Sequence, residues 1–299
     1  MTETTKTPVR ELAPRSAEEL IGSAAGALRG QHRVSYAFSD AVAMARRNLL
    51  RLLRSPDQVV FSLLSPIMFT LLFRYVFGGA ISGLQGVDYV TYLVPGIAVQ
   101  TAIFSAGTTG FGLCDDLQKG FIDRLRSLPM ARSAVLAGRA IADSLNNLVQ
   151  VVILILVGVA VGFRPQSFGG LLLGVVLLLG FALSISFVFA IVGMSVSSVE
   201  AVNAATFPVV FPLTFASSAF VPTSTMPGWL KAFADHQPVS VVVNAVRSLV
   251  LGDITPQMRA GLLGGQGTVS LVLQSLAWTA GFTLVFGWLA VRKYRRLAA

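Results

Sequence analysis

The sequence predicts an all-α, polytopic membrane protein, and the positions at which charged residues are missing carry this prediction. Only 12% of residues are charged and 54% are hydrophobic, whereas a typical soluble domain has about 25% charged residues. Six runs contain no Asp, Glu, Lys or Arg: 58–73, 89–114, 144–163, 165–199, 201–230 and 260–291. A helix crosses a bilayer with about 20 apolar residues, so these runs predict membrane helices.

A single transmembrane domain is predicted over 56–296, and its elements follow from the uncharged runs. Six transmembrane helices are expected at about 58–78, 92–113, 142–163, 170–194, 203–221 and 271–291. Gly78-Gly79, Arg164-Pro165 and Pro222 supply the breaks between or after spans, because glycine and proline interrupt helices.

The distribution of basic residues predicts the orientation of the chain. Eighteen of the 23 lysines and arginines lie before the first span, between spans two and three, or after the last span. Cytoplasmic segments retain Lys and Arg, so both termini are expected in the cytoplasm and the protein in the plasma (inner) membrane. The net charge of +9 is therefore attributed to this bias and not to nucleic-acid binding.

Two segments are predicted before the first span. Residues 1–34 carry both signs of charge without an apolar core and read as a disordered cytoplasmic tail. Residues 35–55 are predicted to form an amphipathic helix at the membrane interface, since apolar residues recur at helical spacing and Arg47 and Arg51 fall on another face. This helix could bind anionic lipid, or it could transmit movement from a cytoplasmic partner into span one.

The charged connection 115–139 is longer than a link between two spans requires. Asp115 and Lys119, and then Lys119 and Asp123, are spaced four apart as in a helix. We interpret this segment as a docking surface, with a passive solvated loop as the alternative.

The spans contain aromatic, proline and small residues that suggest a route for an apolar substrate. Pro208 and Pro212 interrupt span five. The predicted pathway residues are Phe104, Phe111, Phe207, Phe211 and Phe215; ordinary bundle packing is the alternative. Glycines that would permit close helix contact are Gly107, Gly110, Gly112, Gly158 and Gly162. Few polar groups are expected inside, among them Gln100, Asn146, Asn147 and Gln150.

Several function classes are disfavoured by what the sequence lacks. One cysteine and two histidines leave little for metal or general-base chemistry. No G-x-x-x-x-G-K-[ST] stretch occurs, so no cofactor is expected on this chain, and the Leu263–Gly267 stretch is interpreted as a flexible connection. No chain of buried carboxylates is evident, which argues against a proton-coupled carrier.

Two stretches resemble a known family. The run from Asp116 to Pro129 looks like the first cytoplasmic loop of ABC-2 type transporter permeases, most of all those of the actinobacterial daunorubicin-resistance type. The second stretch runs from Phe211 to Pro222, continues with Met226-Pro227-Gly228-Trp229, and ends with Pro238, Arg247 and Gly252. The resemblance covers about 35–296.

The resemblance implies a fold, a set of partners and an activity. Such permeases have six spans, pair as two membrane subunits, and work with two copies of a separate ABC ATPase that binds ATP and Mg. They export hydrophobic or amphiphilic compounds such as drugs, antibiotics, polyketides or lipids. The residues that would couple to the ATPase are Arg47, Arg51, Lys119, Gly120, Phe121, Asp123, Arg124, Arg126 and Pro129.

The resemblance also implies that an outer region, 222–270, folds back into the membrane as short re-entrant helices. Its signature residues are Pro222, Met226, Pro227, Trp229, Pro238, Arg247 and Gly252. The apolar stretch 238–252 agrees, since it is too short for a full crossing. Arg247 is costly there unless it is paired or solvated, so it is expected either to reach the lipid headgroups or to form an ion pair.

Three other functions remain open at this point. A secondary carrier or channel would need no ATPase. A sensing or scaffold subunit would bind the compound without moving it. An intramembrane enzyme would need a catalytic set, for which only the outer residues Asp235, His236 and Ser240 offer a candidate.

Overall fold

The computed structural model describes residues 56–78, 87–120, 132–252 and 255–297, and these residues form helices and turns without a strand. The all-α prediction is confirmed for them. The predicted tail 1–34, the amphipathic helix 35–55 and the central part of the connection 115–139 lie outside the described residues.

The helices of the described chain are numbered in chain order. They are α1 Pro56–Leu72, α2 Tyr89–Gln118, α3 Arg132–Val161, α4 Phe168–Gly193, α5 Val199–Phe215, α6 Gly228–His236, α7 Pro238–Leu251, α8 Pro256–Leu263 and α9 Thr268–Leu297. A π-helical turn, Phe73–Phe77, continues α1.

Five helical segments in the described chain are long and apolar enough to cross a membrane: Val60–Phe77, Tyr89–Gln118, Gly138–Val161, Phe168–Gly193 and Pro256–Leu297. They correspond to predicted spans one to four and six. The predicted fifth span coincides with α5, which has only 17 residues. The helix ends at Phe215 because the chain turns at Ala216–Ser218 instead of continuing to residue 221. Since α5 is therefore shorter than the other spans, the count of six spans is not confirmed.

The second helix lies at the centre of the bundle. It packs against α1, α3, α4, α5 and α7, and 94% of its most apolar window is buried inside the protein. Both α1 and α9 are largely exposed, with large apolar side chains such as Phe61, Leu284 and Trp288 on their surfaces. Apolar surface of this extent on a membrane protein is suited to contact with lipid.

Glycine permits the closest approach between α2 and α4. A Cβ atom on Gly193 would lie 2.2 Å from the carbonyl oxygen of Gly110, and one on Gly110 would lie 2.7 Å from the carbonyl oxygen of Phe189. The predicted role of Gly110 in close packing is therefore confirmed. The role predicted for Gly162 is wrong: the residue ends α3 in a turn with φ +115°, and a Cβ there would touch nothing.

The region after α5 forms short helices that cover one end of the bundle. The buried helix α7 begins at Pro238, packs against α2, α4 and α9, and ends at Gly252, whose φ of +63° favours glycine. With 14 residues, α7 is shorter than a crossing helix. Its re-entrant path through the membrane stays a prediction.

Candidate functional site

A cavity in the described chain lies between α1, α2, α3 and α5 and has a volume of about 960 Å³. Each helix contributes one face. On α2 the lining residues follow each other at three- and four-residue spacing: Gln100, Phe104, Thr108, Phe111 and Asp115. On α3 the same spacing brings Arg139, Asp143, Asn146 and Gln150 to the opposite wall. The cavity is large enough for a drug-sized molecule, for which pockets of roughly 300–1,000 Å³ are usual.

The predicted pathway phenylalanines come together at this cavity. Phe104, Phe111, Phe207 and Phe211 line its wall. Phe215 does not line it but stacks on Phe211, with 4.2 Å between the ring centroids. The structure thus brings residues from two distant helices to one surface, whereas their contact with a substrate stays a prediction.

An aromatic stack leads from the cavity toward the end of the bundle at which α2 begins. The ring centroids of Phe207 and Phe211 are 5.2 Å apart, those of Phe211 and Phe215 are 4.2 Å apart, and those of Phe215 and Phe220 are 4.9 Å apart. Phe220 then stacks on Phe73 at 4.6 Å. Offset stacking of this kind provides a continuous apolar surface.

An ionic cluster occupies the end of the cavity next to the connection 115–139. Arg139 Nη1 donates to Asp116 Oδ2 at 3.1 Å, and Arg139 Nε lies 3.8 Å from Asp143 Oδ2. The hydroxyl of Thr109 also donates to Asp143. The arginine lies over Gly112, where a Cβ atom would come within 1.5 Å of Arg139 Nη2, so the glycine makes room for the guanidinium.

Sequence reasoning did not assign this cluster to the site. Asp143 immediately precedes the uncharged run 144–163. Because a span is recognised by its lack of charge, a charged residue at its boundary is not considered part of it. The four-residue spacing of Arg139 and Asp143 was a signal that could have indicated a paired face of α3.

The predicted coupling residues are described only in part. The predicted helical pair Asp115–Lys119 is present, with 2.8 Å between the carboxylate and Lys119 Nζ. Gly120 follows with φ +62°, so the chain leaves α2 there. The others lie outside the described residues, and their role stays a prediction: Arg47, Arg51, Phe121, Asp123, Arg124, Arg126 and Pro129.

Arg247 has a different environment from either of those expected. It is fully buried, and its guanidinium donates to the carbonyl oxygen of Tyr92 at 3.1 Å, to that of Ser218 at 2.9 Å, and to Asn244 Oδ1 at 2.8 Å. It neither reaches the surface nor contacts a carboxylate of a described residue. Both sequence-based interpretations of Arg247 are therefore wrong.

The other signature residues shape the short helices after α5. Pro222 precedes a short 3-10 turn, Pro227 precedes α6, and Pro238 occupies the first turn of α7, where its missing N–H costs nothing. Trp229 is 77% exposed, as an interfacial residue would be, and Met226 connects the 3-10 turn to Pro227.

The residues considered for an enzymatic site have other contacts. Asp235 pairs with Lys231, His236 Nδ1 lies 2.9 Å from the carbonyl oxygen of Ala232, and the buried Ser240 accepts a hydrogen bond from the backbone of Ser218. The glycines of Leu263–Gly267 end α8: Gly264 and Gly265 have positive φ, and the Gly265 N–H donates to the Arg259 carbonyl.

The long apolar helices define an integral, multi-pass membrane protein, and its cavity is lined by aromatic and polar side chains. A model of the ABC-2 type transporter family matches residues 40–251. The chain therefore belongs to the ABC-2 type transporter family, as the two sequence stretches indicated.

Curated relatives agree with this family assignment. The chain is 35% identical over 241 residues to a daunorubicin resistance ABC transporter permease protein of Streptomyces coeruleorubidus, which covers 80% of each chain. It is 26% identical over 267 residues to a protein of Mycobacterium tuberculosis named "Probable doxorubicin resistance ABC transporter permease protein", covering 86% of this chain and 89% of the relative.

Proposed function

We propose that this chain is the membrane-spanning permease subunit of an ATP-driven exporter of hydrophobic or amphiphilic compounds. It pairs with a second permease subunit, identical or different, and with two copies of a separate ABC ATPase, which binds ATP and Mg. The observation that carries this proposal is the cavity of about 960 Å³ with phenylalanines from α2 and α5 in its wall. Family membership and the names of the relatives support it.

The route proposed for the compound begins in this cavity and follows the aromatic stack. Flat apolar molecules can exchange one ring contact for the next along Phe207, Phe211, Phe215 and Phe220, because the successive centroids are 4.2–5.2 Å apart. A sequence of similar weak contacts favours passage over tight retention.

Coupling to the ATPase is proposed through the connection between α2 and α3. Both helices line the cavity, and both lead into this connection. A helix of 30 residues, the length of α2, spans about 45 Å and moves as a rigid element. A partner that displaces residues 119–131 would therefore move two opposite walls of the cavity.

One observation favours a second candidate, an ATPase-independent carrier. Asp116 and Asp143 are carboxylates at the cavity end of membrane helices, where ionisable groups often serve ion coupling. Arg139 contacts both, and such compensation fits a structural cluster better than a proton relay. A sensing or scaffold subunit would keep the cavity and the ATPase partner without transport.

Reconstitution tests the three candidates. Proteoliposomes with this chain and its ATPase should accumulate daunorubicin, the compound named for one relative, only when ATP is present. Replacing the Walker lysine of the ATPase should abolish accumulation, and collapsing ion gradients with ionophores should not. Transport without the ATPase would indicate a carrier, and binding without any transport would indicate a sensing subunit.

A further inference from the structure

The middle of the cavity carries polar side chains that the phenylalanine wall does not explain. Gln100, Ser105, Asn146 and Gln150 line it between the aromatic residues and the ionic cluster. Gln100 and Gln150 are each only 5% exposed, and Ser105 is 6% exposed. Gln100, Ser105 and Gln150 are thus buried residues at the cavity wall, and Asn146 is half-buried there.

These side chains lack partners in the described part of the chain. The Ser105 hydroxyl is buried and makes no hydrogen bond there. No hydrogen bond joins the side-chain amide of Gln100, Asn146 or Gln150 to another described residue, whereas Thr101 and Thr108 bond to carbonyl oxygens of their own helix. Buried polar groups are nearly always satisfied, so polar side chains at a cavity wall without a partner in the described part of the chain are available to bind a ligand there.

The register of the two helices brings the polar groups to one level. Asp143 on α3 already accepts a hydrogen bond from Thr109 on α2, and Arg139 contacts Asp116, so the helices run antiparallel. Gln150 lies two turns beyond Asp143 and therefore lies level with the residues two turns before Thr109. That level falls between Gln100 and Ser105. At a rise of 1.5 Å per residue, each of these two residues lies within about 5 Å of it along the helix axis.

We propose that Gln100, Ser105, Asn146 and Gln150 form a specificity subsite for uncharged hydroxyl or carbonyl groups of the exported compound. An amide side chain both donates and accepts, so it matches either group without requiring charge. In an empty cavity these donors and acceptors would be left to water. A purely apolar compound would displace that water without replacing its hydrogen bonds, and it would bind less well.

The subsite rests on the proposed function only in treating the cavity as the route of the compound. The cavity then selects flat aromatic molecules that carry oxygen substituents over hydrocarbons of the same size. The phenylalanines bind both kinds, and the polar groups discriminate between them.

A pair of fluorescent probes of equal size tests this inference without the ATPase. Binding of 9,10-bis(hydroxymethyl)anthracene and of 9,10-diethylanthracene is measured on the full chain in lipid nanodiscs, with subtraction of empty nanodiscs. The ratio of the two dissociation constants cancels the shared aromatic contribution. Gln100→Leu and Gln150→Leu should each shift this ratio against the diol by roughly threefold to tenfold, the worth of one hydrogen bond.

A matched variant controls for the loss of an amide as such. Gln274 bonds to Gln266 and Ser270 and does not line the cavity, so Gln274→Leu should leave the ratio unchanged. Gln100→Met and Gln150→Met, which keep an unbranched side chain, provide the same test if a leucine variant fails to fold.

The possible results separate the subsite from the exporter function. An unchanged ratio in the Gln100 and Gln150 variants, an equal shift in Gln274→Leu, or no saturable binding of either probe would overturn the subsite. A shifted ratio combined with a failure of ATP-dependent transport would overturn the exporter function alone. ATP-dependent transport with an unchanged ratio would overturn the subsite alone.

Discussion

The guanidinium of Arg247 lies 3.5 Å from the centre of the Tyr92 ring and donates a hydrogen bond to the carbonyl oxygen of the same tyrosine. The Tyr92 hydroxyl in turn donates to the Ser218 carbonyl at 2.8 Å, which Arg247 also contacts. One arginine on α7 therefore joins the central helix α2 to the turn after α5. The charge is tolerated there because the guanidinium stacks over an aromatic ring and donates hydrogen bonds to carbonyl oxygens.

Replacing Arg247 should destabilise the protein more than replacing any exposed arginine. Arg247→Met would remove three hydrogen bonds, to the carbonyl oxygens of Tyr92 and Ser218 and to Asn244 Oδ1, and each hydrogen bond from a charged group contributes about 1.5–3 kcal/mol. The midpoint of thermal unfolding in detergent measures the loss. Arg164→Met, at an exposed arginine outside this network, is the control.

Lysine should not rescue this position. Arg247→Lys keeps the positive charge but lacks the planar fork that reaches three acceptors at once. If the lysine variant unfolded at the wild-type temperature, the charge alone would suffice and the hydrogen-bond geometry would not be the reason for the stability.

A methyl group at Gly193 should separate α4 from the central helix. The Cβ of Gly193→Ala would lie 2.2 Å from the Gly110 carbonyl oxygen, so backbone must move, and we expect a loss of about 1–3 kcal/mol from overpacking. Gly169→Ala on the same helix meets nothing within 4 Å and should be neutral or slightly stabilising. Equal thermal midpoints of the two variants would contradict this close contact.

Arg139 and Asp116 should show energetic coupling. Their side chains are 13% and 10% exposed and are joined at 3.1 Å, so removing either partner leaves a poorly solvated charge. A double-mutant cycle with Arg139→Met and Asp116→Asn should give an interaction energy of about 1–3 kcal/mol in unfolding experiments. The same cycle on the more exposed pair Lys119 and Asp115 should give less than about 1 kcal/mol.

The short helix α6 should lose a stabilising contact in acid. Burial raises the pKa of Asp235, but hydrogen bonds from Lys231 and Thr223 and the nearby positive charge outweigh it, so the pKa of Asp235 lies below 3.8, its ordinary value. The carboxylate therefore stabilises the fold above the unfolded-state pKa, and this contribution is lost as the pH falls through the folded-state pKa.

Comparison with an amide variant isolates this contribution. At neutral pH, Asp235→Asn should unfold at a lower temperature than the wild type, and the difference should vanish when the pH is lowered below the folded-state pKa of Asp235. A difference that persisted unchanged in strong acid would assign the effect to packing and not to ionisation.

The parts of the fold that depend on local pattern could be predicted from the sequence. Uncharged runs predicted the five long apolar helices because a membrane helix needs length and low charge, and both are visible in a short window. The length of α5 was overestimated, since the run continues apolar to Pro222 although the helix ends at Phe215. The turn at Ala216–Ser218 is held by Gln237 and Ser240, whose contacts no local pattern reveals.

The site could be predicted in part for a similar reason. Phenylalanines at four-residue spacing on α5 predict an aromatic face of the helix. Four of the five predicted pathway residues line the cavity. The partners of Arg247 could not be inferred, because Tyr92 lies 155 residues away and bonds through its carbonyl group, which every residue has. The polar groups of the cavity were visible as residues, but their alignment depends on the register of α2 and α3.

The most direct measurement is ATP-driven accumulation of daunorubicin in inverted membrane vesicles that contain this chain and its ATPase. Phe104→Ala combined with Phe211→Ala, which removes two rings from the aromatic wall of the cavity, should lower the transport rate about tenfold, because each aromatic contact that the compound loses is worth about 0.5–1.5 kcal/mol. Phe168→Ala, at a phenylalanine 74% exposed and away from the cavity, should transport at the wild-type rate. Equal rates for all three proteins, at equal amounts in the membrane, would contradict transport through this cavity.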